Sequence, residues 1–539
     1  MRNSPETRAV YADEMVSLSA LPADPHPWAA LLTREDIVLE SGMLHLRHDD
    51  LSPLDAHLAD LAMIADALTD AGIEPLLIRH GFRDEAIVVD VADQDRAWAA
   101  VTRLCVGEPV YVKPKGLSAV PAPDHTPRRG APSALRVFRP RLAGSLRYGA
   151  SHGVRLEFWR FGAETVEAPH ANSLTRRIIA AADIERVSIQ RHGRSWQSLR
   201  GMFDPHPNEM IDDIDMVFSW VDGSSSEFQR QRAAQMAGYV VGEGDDGPAR
   251  YRHVDELRYA LRSVYMYAPW VRRIFIATDS PTPAWLADHP RVTVVRSEEF
   301  FADTSVLPIH NSHAVEAQLH RIDGLAEHFL YSNDDMFFGR SVAPELFFSP
   351  AGISQFVECD VRIGTGPNAP HRSGHDNALR VNRELLRERF GRTITHDLEH
   401  CATPLRRSVM AELEQTFAED FARTAASRFR SATDISVTNS LYHYYAAFTG
   451  RAVATTAPRT RYYQTTMADS LRRMSRLAER RDVDMFCLND GGSAEVPEEV
   501  RVRVVTELLE RMFPVRAPWE LPAVSAGSGW ERSEASALR

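Results

Sequence analysis

The sequence predicts an α/β protein: a Rossmann-like, mostly parallel sheet with helical insertions over residues 211 to 522, and a separate N-terminal α+β region over residues 1 to 190. Three observations carry this. From residue 210 onward, short apolar runs and helical patterns alternate, the order that a parallel sheet requires. Several of those apolar runs end directly in aspartates. And 539 residues exceed what one ordinary core can organise, so roughly two to four domains are expected.

Taken in order, "HLADLAMIADALTDAGI" has helical spacing of its apolar residues, "EAIVVDVA" is a strand, and "DQDRAWAAVTRLCV" returns to helix. A proline-rich connector, "KPKGLSAVPAPDHTPRRGAP", precedes the strand-like "ALRVFRP" and "VRLEFWRF". The texture changes at residue 210. Ile214, Met216, Val217 and Phe218 form a strand that ends in Trp220, Val221, Asp222 and Gly223. The helix "VDELRYALRSVYMYA" follows, with Asp255 placed to cap it and Pro269 to stop it. "VRRIFIATD" is the next strand, then a helix-like "PAWLADH", then "RVTVVRS". "FLYSNDDMFFG" is a buried strand interrupted by Asn333, Asp334 and Asp335, after which burial resumes at once. The tail from residue 523 to 539 reads as disordered.

With 62 basic against 74 acidic side chains the net charge is -12, which argues against a general grip on nucleic acid or an anionic membrane. No stretch of 18 apolar residues and no secretory leader is apparent, so the expectation is a cytoplasmic protein, free or peripheral to the inner face of the membrane. Cys105, Cys359, Cys401 and Cys487 lack CxxC spacing and read as buried thiols in a reducing compartment.

Asp222, Asp279 and the pair Asp334 and Asp335 each follow an apolar strand, and a parallel sheet gathers such positions along its carboxyl edge. Clustered carboxylates repel one another unless a cation is present. Mg²⁺ or another divalent cation on a diphosphate is the simplest remedy, with Asp334 and Asp335 as its ligands. The plain alternative for Asp222 and Asp279 is a turn or capping aspartate.

Four segments in order resemble the Stealth family of capsular and exopolysaccharide phosphotransferases and the related GlcNAc-1-phosphotransferase. They are "IDMVFSWVDGS", the run from "RYRHVDELRYALRSVYMYA" through "SNDDMFFG", the block that starts "HCATPLRRSV", and "FCLNDGG" with the helix after it. The resemblance implies transfer of a sugar 1-phosphate from a nucleotide-sugar to a hydroxyl of a glycan acceptor, with release of a nucleoside monophosphate. It implies catalytic roles for Glu316, Asp335, His400 and Arg430, and donor binding by Asn489 with Asp222, Arg321, Asn333 and Asp490. His400 is preferred to His396 within that block, and Ser224, Ser225 and Ser226 stand where relatives carry other polar groups after the "WVDG" turn.

Such chemistry needs neutralised phosphate charge, an aligned nucleophile and a destination for its proton. Arg430 offers a planar, permanently charged fork. His400 suits a general base or a phosphate contact, and Glu316 could orient it, take the proton itself or bind a sugar hydroxyl. Each has an ordinary reading beside this one. His400 could be a core or capped histidine, Arg430 a surface ion pair, Glu316 and His320 an i,i+4 pair on one helix face, and Asn489 with Asp490 a turn before two glycines. Two rival functions use the same features: a metal-dependent glycosyltransferase that releases a nucleoside diphosphate, and a glycan-binding protein without turnover. Association with an export complex is a further expectation from the substrate class.

Overall fold

The computed structural model describes residues 28 to 522, apart from 29, 82–83, 128, 224, 237–253 and 492–493. The tail expected to be disordered, the N-terminal segment expected to lack a leader and Ser224 lie outside the described residues. The chain forms two compact units, Met1–Glu209 and Met210–Arg539. Among the described residues no helix is long and apolar enough to cross a membrane.

The first unit is α+β. Its central strand Val154–Phe161 runs parallel to Asp84–Asp90 and antiparallel to Ser133–Phe138. Alternation along Asp84–Asp90 sends Ile87 and Val89 into a core with Leu61, Ile64 and Leu68 of the helix Pro53–Asp70, while Ala86 and Val88 pack with Trp159 on the other face. The hairpin Arg186–Arg191 with Arg194–Leu199 joins this sheet through Leu76–His80, so the first unit continues past residue 190. Asp60, which is 1% exposed, ties helix to sheet by accepting from Arg139 Nε at 2.7 Å and Arg141 Nη2 at 2.6 Å.

In the second unit we number β1 (Ile214–Ser219), α1 (Glu256–Tyr267), β2 (Ile274–Ala277), β3 (Val292–Val295), α2 (Ser312–Glu316), β4 (His328–Asn333) and β5 (Met336–Phe338). There follow α3 (Gly374–Phe390), β6 (His396–Leu398), β7 (Thr403–Arg406), β8 (Thr460–Gln464) and β9 (Met485–Asn489). The main sheet has the order β3-β2-β1-β4-β7, parallel throughout except for the edge strand β7. Strand order reverses between β1 and β4, where crevices at carboxyl ends form in open α/β sheets. Ser219 and Asn333 are register partners at that point.

Among the polar residues buried in these strands, Asp215 is the charged one that needs partners. Asp215 in β1 is fully buried and accepts from Arg272 Nη2 at 2.6 Å and from the backbone N–H groups of Arg273 and Ala326 at 3.1 and 2.8 Å. Four such bonds, counting Arg272 Nε, meet the hydrogen-bonding need of a carboxylate in a core. Asp255 takes the N-cap position of α1 in a left-handed conformation. "PAWLADH" is not a helix. It is held extended enough for Leu286 to bridge Glu520.

A second, three-stranded sheet, β5-β9-β8, supplies the other wall of the site. β5 is antiparallel to β9, with Met336 opposite Cys487, and β8 is parallel to β9, with Gln464 opposite Asn489. Because β5 follows β4 after only Asp334 and Asp335, the acidic turn sits where the two sheets meet.

Candidate active site

Asp334 and Asp335 form a half-buried two-residue turn between β4 and β5. The turn is fastened to β9: Leu488 N–H donates to the Asp335 carbonyl at 2.9 Å, and Cys487 Sγ lies 3.5 Å from Asp335 Oδ2 as a donor. Burial, followed by the neighbouring Asp335 charge, pushes the Cys487 thiol well above its ordinary range, so it remains a neutral donor.

Behind the turn, the Tyr331 hydroxyl lies 2.8 Å from Asn333 Oδ1, 2.7 Å from Ser219 Oγ and 3.2 Å from Glu316 Oε1. A phenol has one proton, so these three groups share one donor and Ser219 supplies the other. Burial and then the Glu316 charge hold Tyr331 far above the usual phenol range. Thr438 Oγ1 donates to the second carboxylate oxygen of Glu316 at 2.8 Å. Thr438 stands in a π-helical turn, Val437–Leu441, a local irregularity frequent at functional sites.

Glu316 does not share a helix face with His320. α2 ends at Glu316 and the chain rewinds as a 3₁₀ turn over Leu319–Arg321, which sends His320 and Arg321 together to Glu414, each at 2.9 Å. Arg321 is therefore not brought to the acidic turn. It lines a separate groove of about 940 Å³ with Ala411, Ala418 and Ala422.

Asn489, at the end of β9, donates through Nδ2 to the Tyr462 hydroxyl at 2.6 Å. The Tyr462 ring packs against His400 with centroids 5.3 Å apart, and His400 faces His375 at 6.0 Å. His375 Nε2 lies 2.7 Å from Asp397 Oδ2. Arg430 donates to Ser312 Oγ at 3.1 Å. Its aliphatic stem runs against Gly374, where an added Cβ would stand 2.7 Å from Arg430 Cβ and Cδ, so only glycine allows this approach.

These groups act on one another electrostatically. Burial, then the His375 charge, lower His400 to about 4; Asp397 opposes them, and Arg430 adds a lesser lowering. Burial also acts against a charged His375, but the Asp397 bond and charge outweigh it and raise His375, with Arg430 lowering it and Glu316 raising it further. The site thus holds a His400 imidazole that burial keeps neutral, a His375 ring that Asp397 biases toward its protonated form, and a guanidinium.

The remaining predicted residues are more peripheral. The Asp222 backbone N–H donates to Ser280 Oγ at 2.9 Å, and Asp279 accepts from Ser297 N–H at 2.8 Å, the plain capping role. Asp490 accepts from Thr465 Oγ1 and lies 3.6 Å from the buried Arg501. His396 sits 4.0 Å from Glu358, on the far side of its strand from this cluster. Among the described residues no group of three or more His, Cys, Asp or Glu side chains is arranged to hold a metal. The two hard carboxylates of the turn still fit Mg²⁺, which takes one or two carboxylates and completes its shell with phosphate and water. His375, Asp397, Tyr331, Thr438 and Tyr462 were not singled out from the sequence. "SGHDN" reads as a helix start, and the only hint of Asp397 is its place between two histidines in "HDLEH".

The sequence matches four conserved regions of the Stealth proteins: region 1 at residues 212–240, region 2 at 250–356, region 3 at 399–447 and region 4 at 475–527. It is 51% identical to the exopolysaccharide phosphotransferase CpsY of Mycobacterium tuberculosis, over 90% of this chain and 92% of that one. The chain belongs to the Stealth family. It is also 52% identical to an exopolysaccharide phosphotransferase of Nocardia farcinica, over 87% of this chain and 88% of the relative. Glu316, Tyr331, Asn333, Asp334, Asp335, His400, Arg430, Thr438 and Asn489 fall inside Stealth conserved regions, whereas Gly374, His375, Asp397 and Tyr462 lie between them. Among solved structures, the galactosyltransferase LgtC overlaps with a TM-score of 0.29 at 11% identity, over 57% of this chain and 98% of that one. The bifunctional glycosyltransferase WbbM gives 0.31 at 12%, over 60% and 54%. Overlaps this loose bear on neither fold nor chemistry.

Proposed function

We propose that this Stealth protein is a transferase that moves a sugar 1-phosphate from a nucleotide-sugar to a hydroxyl of a glycan acceptor in exopolysaccharide synthesis. The observation that supports the reading is the mutual approach of His400, His375, Arg430 and Glu316, with Tyr331 between Glu316 and the Asp335 turn, in a chain half identical to proteins named exopolysaccharide phosphotransferases.

In this reading the acceptor oxygen attacks the phosphorus that bears the sugar. The bond from that phosphorus to the bridging oxygen breaks, the nucleoside monophosphate leaves with the electron pair, and the hydroxyl proton passes to His400. His400 is neutral at working pH and is therefore able to accept it. Arg430 pairs with phosphoryl oxygens, its stem fixed by Gly374 and its head by Ser312. Glu316, held by Thr438 and Tyr331, lies within electrostatic reach of His375 and orients the catalytic face. Asn489 and Asn333 bind donor hydroxyls or hold the residues that do. A divalent cation on Asp334 and Asp335 would supply neutralisation of the diphosphate charge.

The test is ³¹P NMR of the glycan product after incubation with a panel of nucleotide-sugars, Mg²⁺ and a glycan acceptor. A new phosphodiester resonance on the glycan is expected. A glycan extended by sugar without phosphorus would replace this reading with a metal-dependent glycosyltransferase, and retention of an unmodified glycan would favour a binding protein.

A further inference from the structure

His375 and Asp397 lie outside the matched family regions and make the tightest ionic contact in the cluster, 2.7 Å between Nε2 and Oδ2. We propose that His375 is a positioning residue for His400: held on Asp397 and facing the His400 ring, it adds to burial in disfavouring a resting proton on His400, which leaves that ring free to take up the acceptor proton. The proposal rests on the assignment of His400 as the base.

Placement decides which of the two rings carries the charge. Asp397 directs one carboxylate oxygen at His375 and uses the other to accept from its own neighbour, the Leu398 N–H, at 2.8 Å. Asp397 therefore bonds His375 directly and reaches His400 only by its charge. His375 lies in the first turn of the 17-residue helix α3, whose positive end works against a cation, so the proton resides there only because Asp397 holds it. The groups facing His375 are Asp397, Arg430, Glu316 and His400. Those facing His400 are His375, Asp397, Arg430 and the Tyr462 ring. Of these, His375 is the closest cation that a substitution can remove without touching the phosphate-binding guanidinium. At a ring separation of 6.0 Å one such charge displaces a neighbouring titration by about 1–2 pH units.

The experiment is NMR of the full chain labelled with ¹³C and ¹⁵N in histidine, with imidazole midpoints followed in wild type, His375→Gln and Asp397→Asn. The expected result is a His375 midpoint above its ordinary value and a His400 midpoint below. In His375→Gln the His400 midpoint rises by about 1–2 units, and in Asp397→Asn the His375 midpoint falls by about one unit or more. The acidic limb of kcat/KM against pH moves upward with His400 in His375→Gln. An unmoved His400 midpoint, a His375 midpoint at or below its ordinary value, or a loss of kcat/KM uniform across pH would overturn the proposal. If His375→Gln fails to fold, the Asp397→Asn titration decides alone. Failure to find turnover with any donor strikes the sugar-phosphate reading, whereas the titrations judge the charge pairing independently of it.

Discussion

Thr438 donates its hydroxyl proton to Glu316 Oε2 at 2.8 Å, joining a π-helical turn to the end of a short helix 122 residues earlier in the chain. Both residues are buried, so the carboxylate depends on this donor and on Tyr331 in place of water.

Thr438→Val keeps the shape and removes the donor. The expected loss is about 1–3 kcal/mol of unfolding free energy, measured by denaturant titration, with Thr438→Ser close to wild type. Equal stability of the Val variant would mean that Glu316 finds another donor.

Asp60 gives the corresponding prediction for the first unit. It binds two arginines with both oxygens, and Asp60→Ala would leave Arg141, itself 4% exposed, charged and unpaired. A loss of about 3–5 kcal/mol is expected, read from the unfolding transition of the first unit. A loss within the range of a surface substitution would show that water reaches the pair.

Glu520 makes stability depend on pH in a defined direction. Burial alone would raise it, but Arg262 and Arg258, each 2.7 Å away, hold it on balance below the ordinary carboxylate range. A depressed folded value means that the contribution is full above the unfolded value of about 4.3 and fades as pH falls through the folded one. The stability gap between wild type and Glu520→Gln should therefore narrow below about pH 4. A gap constant with pH would contradict the assignment.

All four cysteines are free, and burial raises Cys105 and Cys359 to about 11 and Cys401 to about 12, with Cys487 also well above its usual range. Native protein at pH 7.5 should react slowly with iodoacetamide and label at all four positions only when unfolded. Rapid labelling of Cys487 in the native state would mean that the Asp335 turn opens.

The parallel sheet was legible because its strands are short, mostly apolar runs, several followed by Asp or Asn, a local pattern that period and turn chemistry expose. The acidic turn was legible for the same reason. What stayed hidden depends on contacts distant in sequence. Glu316 and His320 have helical spacing, yet the helix stops between them because Glu316 is drawn inward to Tyr331 and Thr438 while His320 is drawn to Glu414. "PAWLADH" has apolar spacing but bridges Glu520 near the far end of the chain. His375 looks like an ordinary helix-start residue until β6 brings Asp397 to it.

The most direct measurement is chromatographic identification of the nucleotide released from a nucleotide-sugar in the presence of Mg²⁺ and a glycan acceptor, for wild type, Asp335→Asn and His400→Ala. Acceptor-dependent nucleoside monophosphate, lost in both variants, is the predicted result. Nucleoside diphosphate, or monophosphate release undiminished in Asp335→Asn, would contradict the account.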